Sequence, residues 1–125
     1  MNMKRPAFPQ SKHSRFILAM LLAEMTCHQY SYHYKSGYPI ADFRKRLSEV
    51  RKAGWVTDKS TRRQVKDKDG VIRVCDRHWI DNDWLLGLFT LYPDMQKRCD
   101  LLIEKELSGN TNPLSEKDFL ANDIK

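Results

Sequence analysis

The chain has 125 residues, of which 41% are hydrophobic, and its formal net charge is +6. This length allows one domain with a peripheral element and excludes two full domains, and a chain of this size needs neither a metal nor a disulfide to fold. The longest apolar run, residues 16 to 23, is far too short to span a membrane, and the basic residues among the first nine are not followed by the apolar region of a signal peptide. We therefore expect a cytoplasmic protein.

The charge is unevenly distributed along the chain. Residues 44 to 78 hold twelve lysines and arginines with five acidic residues, whereas residues 79 to 125 hold five basic and nine acidic residues. A basic centre beside an acidic C-terminal third is typical of a protein with one face for a polyanion. A basic surface that is simply solvated explains the charge equally well, so charge alone does not decide the function.

The three cysteines, Cys27, Cys75 and Cys99, are far apart and form no Cys-x-x-Cys pair. This spacing predicts reduced thiols rather than a disulfide framework or a structural zinc site. Cys27 with its neighbouring histidines, or Cys75 with His78, could supply metal ligands, but the intervals match no usual zinc spacing. We predict that the protein holds no metal and no cofactor.

The N-terminal quarter predicts an arm followed by a buried helix. Residues 1 to 10 contain two prolines and show no periodicity, which indicates a flexible arm. Ser11 or Ser14 can cap a first helix. The apolar residues from Phe16 to Met25 cover more than one stripe, so this helix is expected at the centre of the domain, buried on several sides.

Residues 26 to 38 are compatible with two structures. Tyr30, Tyr32 and Tyr34 alternate as they would in a strand, whereas a short helix from Gln29 to Tyr34 fits equally well. The tyrosines could stack on unpaired bases, but we favour packing in the core or against a second copy of the chain.

A helix is predicted from Ile40 to Ala53. Pro39 suits its first turn, and Gly54 is typical of the residue that follows a helix end. Apolar residues at spacings of three, four and three share one face: Ile40, Phe43, Leu47 and Val50. The opposite face carries small, polar and charged residues, and arginines flank it: Ala41, Asp42, Lys45, Ser48, Glu49 and Lys52, with Arg44, Arg46 and Arg51.

A β-hairpin is predicted after this helix. Residues 62 to 67 and 71 to 80 are expected as its strands, joined by a turn that contains Asp69 and Gly70 and closed by Trp79. Three apolar residues are candidates for the core: Val65, Ile72 and Val74. Five basic residues lie along the hairpin: Arg62, Arg63, Lys66, Lys68 and Arg73.

The C-terminal third, residues 81 to 125, is predicted as a helical extension. Asp81 or Asn82 can cap a helix that Pro93 ends, and a second helix follows over residues 94 to 107. The apolar residues of that second helix share one face: Met95, Cys99, Leu102 and Ile103.

A last short helix is predicted near the C-terminus. Ser115 with Asp118 resembles a capping box, and Phe119 and Leu120 follow it. The whole extension either covers the core or forms a homodimer through residues 81 to 107, and we favour the dimer.

The stretch ADFRKRLSEVRKAGWV, followed by a basic hairpin that ends in RHWI, resembles the winged helix-turn-helix domain common in phage and prophage proteins. That family shares an Arg-apolar pair, an apolar-Arg-Lys triplet and a Gly-aromatic pair before a basic hairpin closed by an aromatic and an aliphatic residue. The corresponding residues here are Arg46-Leu47, Val50-Arg51-Lys52 and Gly54-Trp55-Val56, with Trp79-Ile80 at the close. The resemblance covers residues 15 to 80 and implies a winged helix-turn-helix domain over residues 11 to 80.

The B-DNA major groove admits one helix, which must bury one face and show small, polar and basic groups outward. We therefore expect a mainly α fold with a small β-hairpin (α+β), in which the winged helix-turn-helix is followed by C-terminal helices. The expected function is sequence-specific binding of duplex DNA by a phage or mobile-element transcription regulator in the host cytoplasm. Helix 40 to 53 is expected in the major groove and the wing, residues 62 to 77, on the backbone. The predicted DNA-binding residues are Asp42, Arg44, Lys45, Arg46, Ser48, Lys52, Arg62, Arg63, Lys66, Lys68 and Arg73.

Two other functions compete with DNA binding. Asp76 and His78 share one face of a strand, as a nuclease would need, but the basic window lacks the acidic cluster that holds a catalytic metal. We therefore predict that the protein is not an enzyme. The competing hypothesis is a winged-helix interaction module that binds and inhibits a host protein, with the basic face against an acidic protein surface.

Overall fold

The computed structural model describes residues 4–23, 27, 42–59, 63–66 and 70–107. These ranges contain four helices and four short strands. In chain order they are α1 (Lys12–Leu22), α2 (Phe43–Lys52), β1 (Thr57–Lys59), β2 (Arg63–Lys66), β3 (Ile72–Cys75), β4 (His78–Ile80), α3 (Asn82–Leu91) and α4 (Pro93–Leu107). The strands pair antiparallel, β1 with β4 and β2 with β3. The predicted α+β class, mainly helical with a small antiparallel β component, is confirmed.

Helix α1 lies at the centre of the core. The Ser11 side chain accepts a hydrogen bond from the Ser14 backbone N–H at 3.3 Å, so Ser11 is the N-cap. Every residue from Phe16 to Leu22 is at most 8% exposed. Because seven consecutive helical residues point in all directions around the axis, α1 is covered on all sides over these two turns. Helices α2 and α4 and strand β4 all pack against it.

Helix α2 is shorter than the sequence predicts. It begins at Phe43, because Asp42 has a φ of 52°, which is outside the right-handed helical region. The predicted start at Ile40 and the proposed first-turn role of Pro39 lie outside the described residues. After the last helical residues, Gly54 adopts a φ of 110°, a conformation that favours glycine, and a Cβ there would lie 3.1 Å from Pro6.

The hairpin consists of two consecutive ladders. Thr57 to Lys59 pair with Ile80 to His78, and Arg63 to Lys66 pair with Cys75 to Ile72. Three residues separate β1 from β2 but only two separate β3 from β4, so the register shifts by one, as at a β-bulge. The strand predicted over residues 71 to 80 is therefore divided in two at Asp76 and Arg77.

The prediction that Ile72 and Val74 lie in the core is wrong. Their side chains are 51% and 52% exposed, and Arg73, which points to the other face of β3, is exposed as well. Within the described part of the chain, the hairpin packs on α1 through β4 rather than through the β2–β3 ladder, so these side chains stay half exposed. The side chain of Val65 lies outside what the structure describes.

Cys27 lies at the second edge of β4. Its backbone N–H donates to the carbonyl of His78, and the N–H of His78 donates to the carbonyl of Cys27, both at 3.0 Å. Cys27 therefore flanks β4 on one side, and β1 flanks it on the other. The tyrosines at positions 30, 32 and 34 lie outside the described residues.

Helices α3 and α4 supply residues to the same core as α1. The Asp81 side chain accepts from the Trp84 N–H at 2.8 Å, so the first of the two predicted caps is the one used. Pro93 is the first residue of α4 rather than an interruption within a helix. The buried residues of the two helices are at most 4% exposed: Leu88, Met95, Cys99 and Leu102. The short helix predicted near Phe119 lies outside the described residues.

Residues 4 to 10 lie against the domain instead of forming the flexible arm that the sequence suggests. Pro6 and Pro9 are buried. The Ala7 N–H donates to the Ala53 carbonyl at 2.8 Å, and the Trp55 indole N–H donates to the Ala7 carbonyl at 2.7 Å. These contacts attach the segment to the turn that follows α2. None of the described helices is long and apolar enough to cross a membrane.

Candidate nucleic-acid interface

Helix α2 has one buried and one exposed face. Phe43, Leu47 and Val50 are at most 7% exposed and face α1 and the sheet. At 100° per residue, Lys45 and Lys52 lie opposite this stripe, and Ser48 lies between them. Both lysines are exposed and Ser48 is partly exposed. The helix thus presents two ammonium groups and a hydroxyl to solvent.

The flank of α2 nearest the hairpin is also basic. Arg44 and Arg51 are exposed, and they are two turns apart on this side of the helix. The Arg51 Nε donates to Thr57 Oγ1 at 2.8 Å, and its Nη2 lies 3.5 Å from Nδ1 of His78. Arg51 therefore connects α2 to both β1 and β4. It was not among the predicted DNA-binding residues, and no sequence spacing indicates these contacts.

The other flank of α2 is tied to α1. Arg46 donates from Nη1 to both carboxylate oxygens of Glu49, at 3.0 and 3.2 Å. The hydroxyl of Ser11, the cap of α1, donates to Oε1 of the same carboxylate at 2.9 Å. This network compensates the Arg46 charge, so we assign Arg46 to the α1–α2 contact rather than to the exposed face.

The remaining predicted residues are placed only in part. Asp42 is exposed at the start of α2, and its side chain makes no capping hydrogen bond. Arg73 is exposed on β3. For Arg63 and Lys66 the structure describes strand backbone but not side chains, and Arg62 and Lys68 lie outside the described residues.

His78 lies beneath this surface, between α2 and the sheet. It is 7% exposed, and its ring centroid is 5.7 Å from that of Phe43. Burial lowers the pKa of His78 to about 4, and the Arg51 charge adds to this effect. The imidazole is therefore neutral at pH 7. Because guanidinium nitrogens only donate, Nδ1 is the acceptor facing Arg51, and the ring proton is on Nε2.

The stability of the fold is expected to depend on pH through His78. Between pH 6.5 and about 4 the unfolded chain binds a proton that the folded chain does not, so the free energy of unfolding falls as the pH falls. The total loss is about 3 kcal/mol. Urea unfolding at pH 7 and pH 4.5 measures most of this loss of stability. His78→Gln should remove most of the pH dependence. The pKa of His13 is also lowered, by burial and then by Lys12, so a smaller dependence should persist in the variant.

The observed geometry does not support the arrangement that a nuclease would need. Asp76 lies between β3 and β4, where Lys59 Nζ is 3.2 Å from its Oδ2, and His78 is buried. Among the described residues, no three metal-binding side chains come together. The three cysteines are buried and form no disulfide within this part of the chain.

Comparisons with protein-family models, curated proteins and solved structures find no match to this chain. The resemblance to winged helix-turn-helix proteins therefore rests on the residues quoted from the sequence.

Proposed function

We propose that the protein binds duplex DNA through a winged helix-turn-helix in which α2 is the recognition helix. The observation that carries this proposal is the exposed face of α2, where Lys45, Ser48 and Lys52 lie opposite a fully buried stripe. A surface of this kind suits the major groove, because phosphates attract the ammonium groups and a hydroxyl can donate to or accept from base edges.

The dimensions of α2 fit this role. Its ten residues span about 15 Å, which is close to the width of the major groove. Lys45 and Lys52 are about 10 Å apart along the axis, so each can reach the backbone at one side of the groove while Ser48 faces the bases. Arg44 lies on the flank toward the hairpin and adds a further phosphate contact.

The order of the elements supports the winged helix. In chain order come α1, the extended residue Cys27, then α2 and a hairpin, and Cys27, β4 and β1 lie side by side. A wing after the recognition helix leaves Arg73 and its hairpin neighbours beside the DNA backbone. Helix α2, with five basic residues and one acidic residue, and helix α4, with three basic and four acidic residues, both pack on α1, and this asymmetry would orient the protein on a polyanion.

Duplex binding should depend strongly on salt. If about five to seven of the basic side chains contact phosphates, the affinity falls with a log–log slope of about −4 to −6. The slope is measured by fluorescence anisotropy of a labelled duplex at several salt concentrations between about 50 and 300 mM. A slope near zero, or no binding at the lowest salt, contradicts the proposal.

Sequence specificity and regulatory role are tested by selecting bound duplexes from a random pool at two salt concentrations. We propose a transcription regulator of a phage or mobile element, and a regulator that dimerises through α3 and α4 should enrich a palindrome. Leu101, which is 56% exposed on α4, is available for that contact. Enrichment of a single half-site contradicts dimerisation, and enrichment of nothing contradicts specific recognition.

A second candidate function is suggested by the apolar side chains of the hairpin. Ile72, Val74 and Trp79 are 51%, 52% and 37% exposed, and such side chains are common where one protein binds another. On this hypothesis the hairpin and the basic face bind and inhibit a host protein. A specific partner that is recovered from nuclease-treated host lysate, and lost when Ile72 and Val74 are replaced by serine, would support it.

A further inference from the structure

A cavity of 490 Å³ opens between α3 and α4, and residues of α1 and β4 also line it. Polar and apolar groups contribute about equally to its accessible surface, although most of its lining residues are apolar: Leu21 and Leu22 come from α1, Ile80 from β4, Leu85, Leu86 and Phe89 from α3, and Cys99 and Ile103 from α4. On α3 and α4 these residues recur at spacings of three and four, so one face of each of these two helices lines the cavity. A cavity of this volume lies within the range of sites that hold small organic molecules.

The rim of the cavity is polar and carries negative charge. Asn82, Gln96 and Asp100 line it, and Asp100 is the one ionisable carboxylate in the lining. Among the described residues, no hydrogen bond or ion pair engages the Asp100 side chain. Burial and the Asp100 charge raise the pKa of the Cys99 thiol to about 12, so the thiol stays neutral. A chain of net charge +6 thus has, at the rim of this cavity, a solvent-exposed carboxylate.

The Asp100 charge distinguishes between the kinds of molecule that this cavity could bind. The centre of a protein–protein contact is depleted of charge, whereas here a carboxylate and two amides border the apolar wall. The C-terminal residues 108 to 125 of the chain contain three acidic and two basic residues, so their net charge does not complement Asp100. A cation beside the carboxylate is also attracted by an aromatic face such as that of Phe89.

We propose that this cavity binds a small apolar cation, such as a hydrophobic amine or a quaternary onium ion. Its apolar groups lie among Leu85, Phe89 and Ile103, and its positive charge lies at Asp100. The cavity is separate from the exposed face of α2, so this proposal does not depend on DNA binding.

The test uses tetraphenylphosphonium as the cationic probe and triphenylphosphine oxide as a neutral probe of similar shape, each titrated into the full chain by calorimetry. One phosphonium ion is expected to bind per chain with a dissociation constant in the micromolar range. Asp100→Asn should weaken phosphonium binding about fivefold and leave the neutral probe unchanged.

Two leucine variants test the location of the site. Leu86 lines the cavity and is 65% exposed, so Leu86→Trp should partly fill the cavity and weaken both probes at least tenfold. Leu91 is 55% exposed on the same helix but outside the lining, so Leu91→Trp is the matched control and should bind as the wild type does. Circular dichroism melting checks that both variants are folded.

Three results overturn the proposal. The first is the absence of one-to-one phosphonium binding, and the second is equal weakening by the Leu86 and Leu91 variants. The third is a concentration-dependent dimer, seen by sedimentation, that Leu86→Trp abolishes and Leu91→Trp does not, because a second copy would then occupy the cavity. If the leucine variants fail to fold, the proposal is tested by Asp100→Asn with the charged and the neutral probe. Equal effects of this substitution on the binding of both probes overturn the proposal.

Discussion

Replacing Lys45 and Lys52 together with glutamate is expected to weaken duplex binding about a hundredfold or more near 0.1 M salt. At this salt concentration each lost phosphate contact costs about tenfold in affinity, and the new carboxylates add repulsion. Both lysines are exposed on α2, opposite the face that packs on the core, so the fold should be retained. Anisotropy titrations at several salt concentrations should also show a log–log slope smaller by about two.

The matched control for this experiment is the double replacement of Lys97 and Lys105 by glutamate. Both residues are exposed on α4, and the change in net charge is the same. If affinity depends on α2, the control should bind within a few-fold of the wild type. Equal weakening by both double variants would show that affinity follows net charge alone. Unchanged affinity and slope in the α2 variant would mean that α2 is not the recognition helix.

Trp55→Ala is expected to lower the free energy of unfolding by about 3 to 5 kcal/mol, the largest effect of a single substitution on stability. Trp55 is 1% exposed, and its ring centroid is 5.6 Å from that of Phe8 and 5.8 Å from that of Trp84. Its indole N–H donates to the Ala7 carbonyl at 2.7 Å. Removing the ring leaves a cavity where α2, α3 and the N-terminal segment meet. Urea unfolding monitored by circular dichroism measures the loss.

Two further variants separate the contributions of Trp55. Trp55→Phe keeps most of the ring but loses the hydrogen bond to Ala7, so a smaller loss of about 1 to 2 kcal/mol is expected. Trp79 is 37% exposed on β4, and Trp79→Ala should cost well below half of the Trp55→Ala effect. If Trp79→Ala lowers the free energy of unfolding as much as Trp55→Ala does, the burial of Trp55 against residues 4 to 10 is not what stabilises this part of the fold.

Features that depend on neighbours in the chain were predictable. The spacing of Phe43, Leu47 and Val50 indicated which face of α2 is buried, and the same spacing implied that Lys45 and Lys52 are exposed. Each of the two helix caps was narrowed to two candidate residues, because a cap uses a side chain and a backbone N–H only two or three residues apart. Periodicity and capping depend on residues that are close in the chain, so the sequence alone is enough to predict them.

Burial in the hairpin was not predictable in the same way. Ile72 and Val74 have the composition of core residues, but they are half exposed because the described part of the hairpin packs on α1 through β4 rather than through the outer ladder. A strand pattern reports which residues share a face, and it does not report whether another element covers that face. The one-residue shift between the two ladders likewise depends on pairing across the hairpin.

The candidate interface shows the same division between local and tertiary information. The sequence by itself determined the α+β class and the basic outward stripe of α2, because both follow from residue spacing at 3.6 and 2 residues per repeat. Only the tertiary structure decided that Ser11 donates to Glu49, that Arg51 reaches His78, and that residues 4 to 10 pack beside Trp55. Each of these contacts joins different elements or distant parts of the chain. The side chains come within hydrogen-bonding distance only once the helices and the sheet have packed around α1.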